Sequence, residues 1–206
     1  MSIVTYNNRS IANISAVPSA AKSLTHIKTL TASSSATLSF VNGSSDVVLD
    51  STYPIYLFQY VNIHPATDAA RFTFQGSTNT GSSYGITMTT TQFAGYHGED
   101  DSFSGLAYST AQDLAQSTDY KQLLREVGSN NDQCCAGVLH LFNPSSTTFV
   151  KHFLSRASDV QENNAARDDN IAGYFNTTSA IDAIQFKFSS GNIDAGTIKM
   201  YGIKDS

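Results

Sequence analysis

The densest group of chemically capable side chains lies between Tyr96 and Phe103. Its sequence, Tyr-His-Gly-Glu-Asp-Asp-Ser-Phe, places one imidazole and three carboxylates within five consecutive residues. Such groups could bind Ca²⁺ or a transition metal, or act on a sugar as an acid and base pair. The spacing matches no calcium-binding loop, and a hydrolase would need carboxylates that converge from separate strands. We therefore expect a solvated surface loop.

The remaining reactive side chains also form no recognisable site. His140 and His152 fall in neighbouring predicted strands, but two ligands do not complete a metal site, so we expect histidines at the edge of the core. Cys134 and Cys135 are adjacent and would point to opposite faces of a strand, which predicts reduced thiols. The chain contains no phosphate-binding loop, nucleophile elbow or zinc-helix motif. We expect no enzyme activity, no catalytic, cofactor-binding or metal-binding residues, and no cofactor.

Composition narrows the possible partners. Charged residues make up 14% of the chain, against about 25% in an average globular protein. A surface of hydroxyl and amide groups loses less on desolvation than a charged one, which favours burial against protein partners. The net charge of −5, with 12 scattered Lys and Arg residues, argues against nucleic acid. Apolar runs are far shorter than the about 20 residues that span a bilayer, and a secretion signal is not evident. We therefore expect that the chain does not insert into a membrane and that it is assembled in the cytoplasm of the cell that produces it.

Short alternating segments dominate the chain and predict its fold. Residues 55–63 are apolar on both faces, which is typical of a central strand, and residues 194–204 read as a final strand that closes a sheet. Tyr120, Leu123, Leu124 and Val127 have helical spacing. Roughly ten to twelve strands with turn signals between them favour a sandwich. We predict an all-β fold, a two-sheet antiparallel sandwich of jelly-roll type, with one short helix near residues 118–127.

The first residues differ in character from the rest. Residues 1–20 form a nearly uncharged stretch with too little apolar surface to fold alone, and we interpret them as an extended N-terminal attachment arm. Its contact residues would be Ile3, Tyr6, Arg9, Ile11 and Ile14. Residues 21–206 would form a single β-sandwich domain.

Loops at one end of a rigid sandwich are the natural place for recognition. Aromatic and polar side chains between residues 80 and 110 could form a contact patch there. The candidate recognition residues are Tyr84, Tyr96, His97, Asp100, Asp101, Phe103 and Tyr108.

Three segments of the last third of the chain resemble a known group of proteins. They are Phe-Lys-Phe-Ser-Ser-Gly-Asn-Ile-Asp-Ala-Gly-Thr-Ile-Lys-Met-Tyr-Gly-Ile at 186–203, Leu-Phe-Asn-Pro-Ser-Ser-Thr-Thr-Phe-Val-Lys-His-Phe at 141–153, and Gly-Tyr-Phe-Asn-Thr-Thr-Ser-Ala-Ile-Asp-Ala-Ile at 173–184. Together they are similar to β-sandwich structural proteins of tailed bacteriophages, especially marine and cyanobacterial ones. The similarity covers turns and strands from residue 137 onward and carries no active-site residues.

The resemblance implies a virion component, a tail-fibre or baseplate module that attaches to the particle and contacts the host surface. A capsid decoration, or cement, protein is the alternative, and a glycan-binding or glycan-degrading virion protein is the second alternative. The expected partners are other virion proteins, further copies of the chain in a homotrimer, and a host surface glycan or protein.

Overall fold

The computed structural model describes residues 23–204, and these residues form two antiparallel β-sheets. The twelve strands, in chain order, are β1 (Leu24–Thr31), β2 (Leu38–Val41), β3 (Ile55–Pro65), β4 (Ala70–Ser77), β5 (Met88–Gly98), β6 (Ser104–Tyr108), β7 (Lys121–Val127), β8 (Cys135–Phe142), β9 (Lys151–Val160), β10 (Ala165–Phe175), β11 (Ala183–Phe188) and β12 (Ile193–Ile203). A short 3-10 helix, Thr110–Gln112, follows β6. The proposed arm, with Ile3, Tyr6, Arg9, Ile11 and Ile14, lies outside the described residues.

The pairing of eight strands gives the sandwich its topology. The large sheet has the order β1-β12-β3-β8-β9-β10-β5-β6, and the small sheet has the order β2-β11-β4-β7. Among β1, β2, β3, β4, β7, β8, β11 and β12, the first strand pairs with the last, the second with the seventh, the third with the sixth and the fourth with the fifth. This nested pairing is that of a jelly roll. The sequence-based prediction of an all-β jelly-roll sandwich is therefore confirmed.

Two inserted hairpins make one sheet twice as wide as the other. The β5–β6 hairpin lies between β4 and β7 in the chain, and the β9–β10 hairpin lies between β8 and β11. Both join the large sheet beyond β8, where β9 pairs with β8 and β10 pairs with β5. The large sheet therefore extends past the small one on this side. Most candidate site residues described below lie on or beside this widened part.

The core between the two sheets is strongly aromatic. Phe186 of β11 lies at its centre, with ring centroids 5.7 Å from Phe58, 5.9 Å from Phe72, 6.3 Å from Phe74 and 6.4 Å from Phe40. All five rings are fully buried. Alternation of apolar and polar side chains puts these rings on the inner faces of their strands, as the sequence pattern predicts.

The predicted helix near residues 118–127 is wrong, because this segment contains strand β7. Lys121–Leu124 are all buried, so the alternation expected of a strand is missing. The pairing of β7 with β4 shifts register twice, and Glu126 has a positive φ of 57°. Bulges of this kind break the two-residue period. The apolar positions then acquire a spacing that imitates a helix.

A buried amide joins the β5–β6 insertion to the jelly roll. The Nε2 atom of Gln75, on β4, lies 3.2 Å from the carbonyl oxygen of Ile86, 3.1 Å from that of Thr118 and 3.0 Å from that of Asp119. Ile86 precedes β5, and the other two residues precede β7. Gln75 therefore holds together the two places where the chain enters and leaves the insertion.

Candidate functional site: the cavity and outer face of the widened sheet

The β5–β6 hairpin brings together most of the predicted recognition residues. Six of the seven lie on it: Tyr96 and His97 in β5, Asp100, Asp101 and Phe103 in the connection, and Tyr108 at the end of β6. Tyr96, His97 and Tyr108 thus belong to strands rather than to an irregular loop. Tyr84 is separate, since it precedes β5 and lines a different depression with Ser83 and Asn176.

The acidic residues of the hairpin stabilise its turn. Asp100 accepts hydrogen bonds from the hydroxyl and the amide of Ser102, at 2.6 and 3.0 Å, and these bonds lower the pKa of Asp100. His97 Nε2 lies 3.2 Å from Asp101 Oδ1, and both side chains are exposed. Within residues 23–204 there is no group of three potential metal ligands. The arrangement agrees with a solvated turn.

A cavity of about 410 Å³ opens between this hairpin, β7 and the turn that joins β9 to β10. Tyr96 and Phe103 form part of its wall, with ring centroids 6.4 Å apart. The polar part of the lining includes Arg125, Glu126 and Arg167. Aromatic faces beside fixed polar groups are typical of a binding site for a small ligand.

A chain of buried polar groups lies beneath the cavity. Lys121 Nζ donates to Gln92 Oε1 at 2.6 Å and to the Gln112 carbonyl at 2.7 Å. Gln92 Nε2 donates to Asp169 at 2.6 Å, and Arg167 binds the same carboxylate through Nε at 2.6 Å and Nη2 at 3.1 Å. Burial lowers the pKa of Lys121 to about 8. Hydrogen bonds on both sides of each charge offset the cost of burying it.

Asp159 lacks such compensation. It lies opposite Arg167 in the pairing of β9 with β10, is 3% exposed, and has no hydrogen-bond partner for either carboxylate oxygen among the described residues. Burial, followed by the charge of Asp169, raises the pKa of Asp159 to about 8. Burial therefore favours the protonated form of Asp159.

Three carboxylates in and near the cavity, those of Glu126, Asp169 and Asp113, are engaged with neighbouring groups, unlike that of Asp159. Glu126 forms an ion pair with Arg125 at 2.8 Å, and Asp169 is bound by Arg167. Asp113 accepts a hydrogen bond from the Tyr108 hydroxyl. Such an arrangement suits binding and positioning, because a general acid or base must be able to reach a substrate proton.

The polar residues of this region were not among the predicted site residues. Arg167 and Asp169 are two positions apart on β10, so their side chains share the inner face of the sheet. The position of Arg167 and Asp169 between Ala165 and Ile171, two inward-facing apolar residues, was the signal that could have identified them.

The outer face of the widened sheet carries exposed apolar side chains. We call this surface the apolar face; it comprises Phe93 on β5, Leu106 on β6, Val138 and Phe142 on β8, Leu154 on β9 and Ala172 on β10. Phe93 and Leu154 are about half exposed, at 48% and 49%. Two adjoining depressions of about 330 and 420 Å³ share Thr91, Leu154 and Ala172.

The two histidines singled out above also lie at this face. His140 stacks on Phe142, with ring centroids 6.4 Å apart, and partial burial lowers its pKa. His152 packs against Tyr174, with centroids 6.0 Å apart. They are aromatic neighbours of the apolar face. Cys134 and Cys135 are free thiols, as predicted.

Comparisons of the chain with protein-family models, curated proteins and solved structures found no match. Among the described residues, no helix has the length and apolar character needed to cross a membrane.

Proposed function

We propose that the chain is a structural protein of a bacteriophage particle, a tail-fibre or baseplate module that attaches to the particle and contacts the host surface. The observation that carries this proposal is the apolar face. Residues 23–204 leave it exposed, and an extended apolar patch on a soluble protein marks a surface that binds another protein. Assignment to a phage particle comes from the resemblance of residues 137–203.

The chemistry of the apolar face suits assembly. One row of side chains crosses four strands without a charge: His140, Leu154, Ala172 and Thr91. The next two rows carry the ion pair between Arg156 and Asp168, at 2.8 Å, so this pair lies within the apolar face, between Val138 and Leu106. Protein interfaces combine apolar contacts with paired polar groups in this way.

The experiment compares two leucines with equal exposure. Leu154 is 49% exposed on the apolar face, and Leu24 is 50% exposed on β1, at the opposite edge of the same sheet. We expect Leu154→Glu to reduce the amount of the chain in gradient-purified particles at least tenfold, measured by quantitative mass spectrometry, because a buried unpaired carboxylate opposes association. Leu24→Glu is the control and should be incorporated normally.

Normal incorporation of the Leu154→Glu variant would contradict the role of this face. Absence of the wild-type chain from particles would contradict the virion assignment itself. Imaging of labelled particles places the chain on the tail or on the capsid, and capsid labelling would favour the decoration protein instead.

The cavity supports the contact with the host surface. Phe103 is 38% exposed at its wall, whereas Phe149 is 69% exposed outside the cavity. We expect Phe103→Ala particles to adsorb to host cells more slowly, since truncation removes an aromatic contact, and Phe149→Ala particles to adsorb normally. Equal adsorption rates would remove the cavity from the proposal.

A further inference from the structure

The free edge of the widened sheet differs from the other three sheet edges. Unpaired edge strands promote association unless they are short, charged or bulged. β1 carries Lys28 and a register shift, β2 has four residues, and β7 carries Arg125, Glu126 and two register shifts. By contrast, β6 has the sequence Ser-Gly-Leu-Ala-Tyr and pairs with β5 in regular register along its whole length. It has no charge, proline or bulge to block a further strand.

The hydrogen bonds at the two ends of β6 identify which backbone groups face outward. Gly98 N–H donates to the Phe103 carbonyl at 2.9 Å, and Ser109 N–H donates to the Gln92 carbonyl at 2.8 Å. Backbone groups of successive residues point to opposite sides of a strand, so odd-numbered residues from 103 to 109 face β5. The N–H and C=O groups of Ser104, Leu106 and Tyr108 therefore point away from the sheet.

We propose that β6 of a second copy of this chain pairs with this edge, antiparallel and about a two-fold axis at Leu106. The result is one continuous sheet that runs through both copies. Under two-fold symmetry, the same five residues of each copy form the contact. Leu106 is 78% exposed and Tyr108 is 61% exposed, and both would gain apolar neighbours across the joined strands.

The charges that flank β6 select the antiparallel arrangement. Three acidic residues, at 99–101, precede the strand, whereas the 3-10 helix Thr110–Gln112 and the single acidic residue Asp113 follow it. Parallel pairing would place the two acidic turns side by side, where like charges repel. Antiparallel pairing places each acidic turn beside a segment of the other copy with one acidic residue instead of three. The apolar face, which includes Leu106, would then continue from one copy into the next.

This inference concerns the purified chain and goes beyond the proposed role in a particle. Two-fold pairing gives an even number of copies, whereas the resemblance led us to expect a trimer. Sedimentation equilibrium distinguishes them, because a dimer has twice and a trimer three times the chain mass of 22.1 kDa. A monomer or a trimer of the wild-type chain at micromolar concentration would overturn the inference and leave the virion role untouched.

The sharpest variant is Leu106→Pro. The Leu106 N–H points away from β5, so proline removes a hydrogen bond to the second copy and none within the chain. We expect Leu106→Pro and Leu106→Lys to sediment as monomers, with far-ultraviolet circular dichroism spectra like that of the wild type. Leu24→Lys, on the edge strand β1, is the control and should remain dimeric. Dimeric Leu106→Pro with a native spectrum would refute edge pairing.

Cysteine cross-linking tests the register independently. In the proposed pairing, Leu106 faces Leu106 of the second copy with a Cα separation of about 5.5 Å, which a disulfide can span. Leu106→Cys should therefore form a disulfide-linked dimer under mild oxidation, and Ser104→Cys should not. The wild-type chain, which already contains Cys134 and Cys135, gives the background level of disulfide cross-linking. Cross-linking of Ser104→Cys in preference to Leu106→Cys would overturn the two-fold axis at Leu106.

Discussion

Asp159→Asn should change how the stability of the protein depends on pH. Asp159 has an ordinary pKa of 3.8 when unfolded and a pKa of about 8 when folded, because burial disfavours its charge. Between these values the folded state binds more protons than the unfolded state, so the free energy of unfolding falls as pH rises. The contribution of Asp159 is favourable below pH 4 and is lost progressively up to about pH 8.

The expected size of this effect follows from the pKa difference. Each pH unit between the two pKa values corresponds to about 1.4 kcal/mol, so the whole interval corresponds to about 6 kcal/mol. Between pH 5 and pH 8, the wild-type chain should lose about 3–4 kcal/mol relative to the Asp159→Asn variant. An amide of nearly equal volume has no proton to lose in this range. Comparing how the free energy of unfolding changes with pH in the two proteins therefore isolates the contribution of the Asp159 carboxyl group.

Urea unfolding at several pH values measures this slope. Urea is uncharged and leaves electrostatic interactions unscreened, which guanidinium chloride would not. Tyrosine fluorescence reports unfolding, since the chain has ten tyrosines and no tryptophan. Asp168→Asn is the control, because Asp168 lies on the same pair of strands but forms an exposed ion pair with Arg156. Parallel stability curves for the wild type and Asp159→Asn between pH 5 and pH 8 would show that Asp159 is already ionised, and would refute the reasoning.

Three further predictions concern the core, the buried lysine and the acidic turn. Phe186→Ala should lower the free energy of unfolding by about 3–5 kcal/mol in urea, because a fully buried ring is lost from the centre of the core; a loss below about 1 kcal/mol would show that the site collapses around the cavity. Lys121 has a pKa of about 8 in the folded state and of 10.5 in the unfolded state, so its contribution to the free energy of unfolding rises with pH between these two values. Lys121→Met should abolish that rise. If the rise is unchanged in the variant, another group causes it. Calcium should leave the melting temperature unchanged both in the wild type and in the Asp100→Ala variant. A calcium-dependent increase in the wild type that the variant lacks would reveal an ion site.

The strands of the jelly roll were predictable because their side chains alternate. Residues 55–63 are apolar on both faces, and β3 does lie between two other strands of the large sheet. The final strand, β12, lies between β1 and β3, with Ile198 and Met200 buried, as its pattern indicates. Local periodicity is sufficient wherever one face of a strand meets an apolar core.

The widened part of the large sheet was not predictable in the same way. Its inner face meets a polar region, so Gln92, Arg167 and Asp169 occupy inward positions that apolar residues fill elsewhere. A pattern based on hydrophobicity reads such strands as loops, and loops were predicted between residues 80 and 110 for this reason. Long-range pairing of β5 with β10 then brought together a cavity whose polar lining comes from distant parts of the sequence.

The amide of Gln75 gives the inserted hairpin a fixed orientation relative to the rest of the protein. One fully buried side chain contacts both the entry and the exit of the segment 86–119. Insertions or foreign epitopes placed at the hairpin tip, near Asp100, should therefore leave the jelly roll undisturbed as long as the hydrogen bonds of Gln75 are intact. Without these contacts, β5 would still be held by its pairing with β10 over eleven residues, so only the segments that precede β5 and β7 would become free to move.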